Sequence, residues 1–454
     1  MRILIVSRGV LPAGRKSGGA EFVAFELAKH LADRGEEVVL VSDIDFPLRG
    51  HLPVTLSITD VGSWRGLARL VRLVPVGFPR WVLQHLLGNI RVAKRAWALL
   101  EADGQDFDVV HVHGALATIL LRRMVRSLPR EVPLVYTEHD STPWSCRYRR
   151  VLERTVRRWV YRHVNLRACR AATTVVVNYP ALADELARRT GLARARFTTI
   201  RNATGPAHPA GPVQRAGHRA ADHVATKHGL DRYYLFVGAL VDRKGPDILL
   251  RALAQVGLPC IFVGDGPMRP SLERLAARAG VADQVAFTGA LERHDVHLYY
   301  RGAEALVLPS VSEGVPLVAL EALDAGVPVI ASNLAGVASV VRDGENGLLV
   351  APGDAVSLAR ALSAVEADEI LRVRLRDGAR RSSDTITYWP DVASQLCDLY
   401  QQHPADERVL GESVPSVAIG RVELSVAYAL SAEGLALRLS PSIPGPRAEQ
   451  VSNV

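Results

Sequence analysis

Short, β-branched apolar runs recur along this chain at intervals that leave room for a helix between them, and this recurrence limits the folds open to it. Residues 2–7, 37–42, 108–112, 133–137 and 173–178 form a first series. Between its first two members, Phe22, Val23, Leu27 and Leu31 repeat at helical spacing up to Gly35. A second series runs through Tyr234–Gly238, Pro259–Val263, Val285–Thr288, Ala305–Leu308 and Val327–Ala331. Strands alternating with helices make a parallel, doubly wound sheet, so two series predict an α/β protein of two Rossmann-like halves. Residues 203–217 are the one Pro/Gly-dense stretch between the series. The expected order is an N-terminal domain over 1–205, a linker over 206–217, a C-terminal domain over 218–385, a closing segment over 386–400 and a tail over 401–454. The tail lacks a clear helical pattern, 416–439 alternates enough for a hairpin, and its last residues read as disordered.

Length agrees with two domains, because 454 residues is about twice the size at which a single core stops growing. No stretch reaches the roughly 18 apolar residues of a membrane span; the nearest, Leu70–Ile90, is broken by Arg72, Pro75, Pro79 and Arg80. The start, Met1–Ser7, reads as a buried strand rather than a signal peptide, which predicts a cytoplasmic protein. Cys146, Cys169, Cys260 and Cys397 are scattered without a C-x-x-C pair, so reduced thiols and no zinc site are expected. The net charge of +8 rests on arginine, with lysine only at 16, 29, 94, 227 and 244. A basic balance favours anionic partners: nucleoside diphosphates, acidic membrane surfaces or nucleic acid. Arg147–Arg170 carries nine arginines with Tyr148, Trp159 and Tyr161 interleaved, a pattern open to a solvated helix face, an anionic membrane surface or nucleic acid.

The segment richest in chemistry is Val307–Glu321, in which Glu313 in a Gly-containing loop is followed, seven residues intervening, by Glu321 on an expected helix. Pro316 suits the first helical position and Val315 cannot cap. The N–H groups of Leu317, Val318 and Ala319 are then free for the oxygens of an anion. This describes a phosphate site flanked by two carboxylates. Lys244, between Arg243 and Gly245 past a strand end, can reach such a phosphate. Gly18-Gly19 before a helix lets a backbone approach a diphosphate closely, though the pair also suits an ordinary turn. His139 follows a buried strand, and Glu138 and Asp140 beside it are expected to raise its pKa. His111 and His113 share one face at i, i+2 spacing, and with His139 they form a conceivable but disfavoured zinc triad. No strand is followed by G-x-G-x-x-G with an acid about 20 residues on, which disfavours an NAD dehydrogenase.

Together these segments resemble the retaining glycosyltransferases of family 4, enzymes of the GT-B fold. The resemblance rests on the E-x7-E pair, Gly18-Gly19, Thr137–Asp140, Phe236–Gly245, Val263–Pro267 and Asp343–Val350, in the family's order over residues 1 to about 400. It implies two Rossmann-like domains facing across a cleft. It implies a nucleotide-sugar donor held by Gly18, Gly19, Arg243, Lys244, Gly314, Leu317, Val318 and Glu321, with Glu321 on the ribose. Glu313 and His139 would meet the sugar, Val285–Gly289 the base, and residues 386–400 would cross back onto the N-terminal domain. Transfer of a hexose-type residue from UDP or GDP to a hydroxyl of a small molecule, glycan or lipid, with retention and without metal or cofactor, is the activity implied. Peripheral contact with an anionic membrane is compatible with it, and no nucleic acid partner is expected. Two departures stand out: Ala239 where the family usually has arginine, and Ala335–Ser339 where it often has Gly-Gly-x-Pro-Glu. They keep open a GT-B sugar-nucleotide epimerase or a catalytically silent sugar-nucleotide or lipid-binding protein.

Overall fold

The computed structural model describes residues 1–8, 19–42, 56–60, 80–103, 107–139, 151–205, 224, 228–230, 232–402 and 406–407. The first half is a seven-stranded parallel sheet in the order β3-β2-β1-β4-β6-β7-β8. Its strands are β1 (Arg2–Val6), β2 (Glu37–Ser42), β3 (Leu56–Asp60), β4 (Val109–Val112), β6 (Leu134–Glu138), β7 (Thr174–Val177) and β8 (Phe197–Thr199). The second half is a six-stranded parallel sheet in the order β11-β10-β9-β12-β13-β14. It is built from β9 (Tyr233–Val237), β10 (Cys260–Val263), β11 (Val285–Gly289), β12 (Ala303–Leu308), β13 (Val329–Ser332) and β14 (Gly347–Val350). The expected strands are present with ends moved by one or two residues. β3, β8 and β14 are additional edge or near-edge strands.

Each sheet reverses its winding once, between β1 and β4 in the first half and between β9 and β12 in the second. In open α/β sheets the crevice past the carboxyl ends of the strands at such a reversal is where ligands bind. Both reversals run through fully buried strands: Ile3, Leu4, Ile5 and Val6 of β1 and Leu235 and Phe236 of β9 are no more than 1% exposed.

Helix α1 (Gly19–Asp33) covers the first sheet with Phe22, Val23, Leu27 and Leu31 buried. Further along come α2 (Arg80–Asp103) and α3 (Ala115–Val125), then α4 (Val151–Val160), a π turn over Tyr161–Asn165 and α5 (Leu166–Ala171). The helix α6 (Pro180–Thr190) leads into β8 at the edge of the first sheet. In the second half α7 (Pro246–Val256), α8 (Arg269–Arg278), α9 (Arg293–Gly302), α10 (Leu317–Asp324), α11 (Ala335–Ala338), α12 (Ala355–Ala367) and α13 (Glu369–Ser383) follow. The last helix among the described residues, α14 (Trp389–Gln401), leaves the second half and buries Trp389, Val392, Leu396 and Tyr400 in the same core as Phe22, Leu27 and Leu31. Trp389 meets Phe22 edge-on, with ring centroids 6.1 Å apart.

Beyond α14, β15 (Asp406–Glu407) pairs antiparallel with β5 (Arg130–Glu131), so main-chain hydrogen bonding holds a segment that reads as tail. Residues 1–408 make one compact unit. The expected linker, the hairpin over 416–439, Gly18 and residues 70–79 of Leu70–Ile90 lie outside the described residues. Among the described residues no helix is long and apolar enough to cross a membrane.

Candidate active site

The reversal between β9 and β12 brings two loops together. β9 is followed by a single 3₁₀ turn, Asp242–Lys244, that ends on Gly245 with φ +66°. A Cβ at Gly245 would lie 2.3 Å from the Pro309 carbonyl oxygen just past β12, so only glycine permits both the left-handed backbone and the approach. Val311 N donates to Arg243 O at 2.9 Å and stitches the loops. The result places the Lys244 Nζ 2.6 Å from Glu313 Oε2, with side chains only 14% and 12% exposed. Ser310 Oγ donates to the same oxygen at 3.2 Å, and Arg243 Nη1 stands 4.0 Å from Oε1. Burial works against the Glu313 charge, but Lys244 and Arg243 beside it, with hydrogen bonds from Lys244 and Ser310, hold its carboxyl below the usual range.

Helix α10 begins one residue later than the sequence suggests. Pro316 is its cap, with ψ 121°, and not its first helical residue. Its carbonyl accepts from Ala319 N at 3.1 Å and Leu320 N at 3.4 Å. Ala319 N–H is thereby used, and among the described residues no main-chain bond takes the N–H groups of Leu317 and Val318, two donors instead of three. Gly314 precedes them, and its carbonyl is pressed by Gly336 of α11, where a Cβ would come within 2.2 Å. Asn202 of the first half donates to Val315 O at 3.0 Å. Val315 and Leu320 pack with Tyr136, Tyr161 and Tyr179. The start of α10 is thus fixed against the first half.

Glu321, on the buried side of α10, uses both oxygens within the protein. Arg293 of α9 pairs with Oε1, and Tyr300 Oη donates to Oε2 at 2.9 Å. Burial, then the Glu321 charge, pushes the Tyr300 hydroxyl well above its ordinary value. The Arg293 guanidinium also stacks on Phe22 of α1, its Cζ 3.9 Å from the ring centroid, so one cation joins Glu321 to the other half.

On the first half, three histidines gather past β4 and β6. His111 Nδ1 is 2.6 Å from Tyr400 Oη and its Nε2 2.6 Å from Thr137 Oγ1. His113 Nδ1 is 2.8 Å from His139 Nε2. That spacing is a hydrogen bond, shorter than the about 3.3 Å that two nitrogens keep on one tetrahedral zinc. The expected rise in the His139 pKa is reversed: burial lowers it to about 4. Strand alternation explains the error, since Glu138 turns to the opposite face and accepts from Tyr136 Oη and Asn165 Nδ2, each at 3.0 Å. Burial, then His139, lowers His111 to about 3. Burial, then His111 and His139, lowers His113 well below 6.5. Gly19 starts α1, and a Cβ there would meet nothing within 4 Å.

With this geometry in view, two families match the chain in succession: Glycosyltransferase Family 4 over residues 17–208 and Glycosyl transferases group 1 over residues 220–382. The chain belongs to the family 4 glycosyltransferases. The D-inositol 3-phosphate glycosyltransferase 1 of Catenulispora acidiphila is 28% identical over 86% of this chain and 92% of its own length. That of Xylanimonas cellulosilytica is 37% identical over 37% of this chain and 42% of its own. Among solved structures, sucrose-phosphate synthase of Thermosynechococcus elongatus superposes with a TM-score of 0.71 at 24% identity, covering 88% of this chain and 98% of that one. Anabaena Alr3699/HepE in complex with UDP does so at 0.64 and 20%, covering 88% and 100%. The two halves of this glycosyltransferase form the GT-B fold.

Of the residues singled out from sequence, Lys244, Arg243 and Glu313 are brought into one cluster and Glu321 is held beside α9, while His139 lies on the first half against His113. Arg293 and Tyr300 went unnoticed in the sequence. Nothing in the spacing links either to Glu321, since they lie 28 and 21 positions before it and reach it only once α9 and α10 pack together.

Proposed function

We propose that this glycosyltransferase transfers a hexose from a nucleoside diphosphate sugar to a hydroxyl acceptor, with retention of anomeric configuration and without a resident metal. The observation that carries the reading is the Lys244–Glu313 pair beside the two free N–H groups of α10, at the winding reversal of the second sheet. Lys244, Arg243 and the Leu317 and Val318 amides are suited to the diphosphate, as are Gly18 and Gly19 by their residue type, with Gly314 leaving the backbone open. Glu313 suits the sugar hydroxyls and His139 the sugar's reacting face. Glu321 suits the ribose, for which it exchanges a protein partner, and the Val285–Gly289 backbone suits the base. Complexes of HepE with UDP and with UDP-glucose support a nucleotide-sugar donor, and the relatives named for D-inositol 3-phosphate support trying phosphorylated polyols as acceptors.

In this reading negative charge grows on the departing diphosphate, and fixed cations and amides stabilise it without reorganising. The anomeric C–O bond breaks as the acceptor oxygen bonds to the same face, and a phosphate oxygen takes the acceptor's proton. The test is a panel of UDP-, GDP- and ADP-sugars with polyol phosphates and other hydroxyl acceptors in the presence of EDTA, reading nucleotide release and the anomer of the product. Transfer with retention is expected. An inverted product, or activity lost to EDTA and restored by Mg²⁺, overturns the corresponding part, and donor conversion without any acceptor points instead to an epimerase. Trp159 is 61% exposed, and Arg158, Arg162 and Arg167 are also exposed, which supports peripheral contact with an anionic surface. Protein left in the supernatant with anionic vesicles at low salt removes that contact.

A further inference from the structure

His113 stands at the winding reversal of the first sheet, and its main-chain N–H donates to Val6 O at 2.8 Å across the β1–β4 boundary. The next residue, Gly114, is closely packed, since a Cβ there would lie 2.6 Å from Asn89 Oδ1. The imidazole is therefore carried on a fixed backbone. Its neighbour His111 has committed both nitrogens, to Tyr400 and to Thr137, and has none to offer it. His113 Nε2 is buried and meets no hydrogen-bond partner among the described residues. The ring's one hydrogen bond is the 2.8 Å contact between its Nδ1 and His139 Nε2, with the two ring planes inclined by 23°.

Two neutral imidazoles facing each other in this way hold one proton between them, so the tautomer of one dictates that of the other. If His139 donated, His113 would carry its proton on Nε2, a buried N–H with nothing to receive it. If His113 donates, Nε2 is left as a bare lone pair. Orphaned buried N–H groups are the rarer of the two defects, and the second arrangement wins.

Resting on the reading of His139 as the group that meets the donor sugar, we propose that His113 is a positioning residue. By donating Nδ1–H to His139 Nε2 it holds His139 in the Nδ1–H tautomer, so that His139 presents a hydrogen-bond donor, and not an acceptor, to the sugar. The ligand chemistry selected is an oxygen acceptor on the sugar, such as a hydroxyl lone pair.

The test compares the wild-type protein with His113→Phe, which keeps an aromatic ring and loses the bond, and with His113→Asn, whose amide can donate from near the Nδ1 position. Each is measured for melting temperature, for UDP affinity by titration calorimetry, for kcat and KM with the donor found by the panel, and by long-range ¹H–¹⁵N correlation of the histidine rings. We expect a single Nδ1–H tautomer at His139 in the wild type. His113→Phe is expected to lower kcat by about 10- to 100-fold with UDP affinity within about 2-fold, the usual effect of a misaligned group, and His113→Asn to restore most of it. An Nε2–H tautomer at wild-type His139, kcat unchanged in His113→Phe, or His113→Asn as slow as His113→Phe at equal melting temperature overturns the proposal. If His113→Phe does not fold, the wild-type spectrum and the Asn variant still decide it. Full activity in His139→Ala, by contrast, removes the reading of His139 on which it rests.

Discussion

Lys244→Met takes the cation away from a carboxylate that water barely reaches. Glu313 is then left with Ser310 Oγ at 3.2 Å and with Arg243, a half-exposed side chain 4.0 Å away. Breaking a buried ion pair from one side costs about 3–5 kcal/mol, and the two remaining partners place this case near the lower end, about 3 kcal/mol. For a half of about 200 residues, that is a drop in melting temperature of about 6–12 °C. Glu313→Gln leaves the Lys244 ammonium unpaired and should cost a comparable amount. The double variant buries neither charge, so its loss should fall short of the sum of the singles by about 2 kcal/mol. The effect also has a pH sign. In the wild type the Glu313 carboxyl is held below 4.5, so its stabilisation is complete above the ordinary carboxylate range and is lost as pH falls through the folded pKa. In Lys244→Met burial dominates and the carboxyl pKa rises, so the deficit at pH 7.5 shrinks toward pH 5 as Glu313 takes up a proton. Differential scanning calorimetry of the four proteins at both pH values measures all of this. Additive losses, or a Lys244→Met protein melting within about 2 °C of wild type at pH 7.5, would refute the description of the pair as buried and mutually dependent.

Gly336→Ala places a methyl 2.2 Å from the Gly314 carbonyl oxygen; it should cost about 1–3 kcal/mol and weaken UDP binding, and unchanged affinity in a titration would free Gly314 from the donor site. Because His111, His113 and His139 are held neutral by burial, the unfolded chain binds protons that the folded one refuses. Stability should accordingly fall as pH drops from about 6.5 toward 4, by about 1.4 kcal/mol per pH unit for each histidine, and stay level on their account from pH 7 to 9; a melting temperature equal at pH 5.5 and 7.5 would contradict this.

The fold was legible because buried parallel strands advertise themselves as short apolar runs, and α1 as Phe22, Val23, Leu27 and Leu31. β14 was hidden inside Asp343–Val350, where glycines and charges mask four strand residues, and β8 is only three residues long. At the site, the residue types at 244, 313 and 321 carried the signal, whereas their partners did not. Lys244 and Glu313 are 69 positions apart and meet only because β9 lies beside β12. The sign of the His139 shift was misjudged for a related reason: adjacency in sequence put Glu138 beside it, while a strand sends adjacent side chains to opposite faces. The helix start moved by one residue because the Pro316 ring constrains φ and says nothing of ψ.

Helix α14 has a consequence for synthesis on the ribosome. The apolar face of α1, with Phe22, Leu27 and Leu31, leaves the exit tunnel about 360 residues before Trp389, Val392 and Leu396, which cover it. At about 5–20 residues per second the interval is about 20–70 s. Throughout it the nascent chain carries an unsealed hydrophobic seam, open to chaperones and to misassociation. A fragment ending at residue 385 would keep that seam permanently, so the enzyme's first half completes its folding only when α14 arrives.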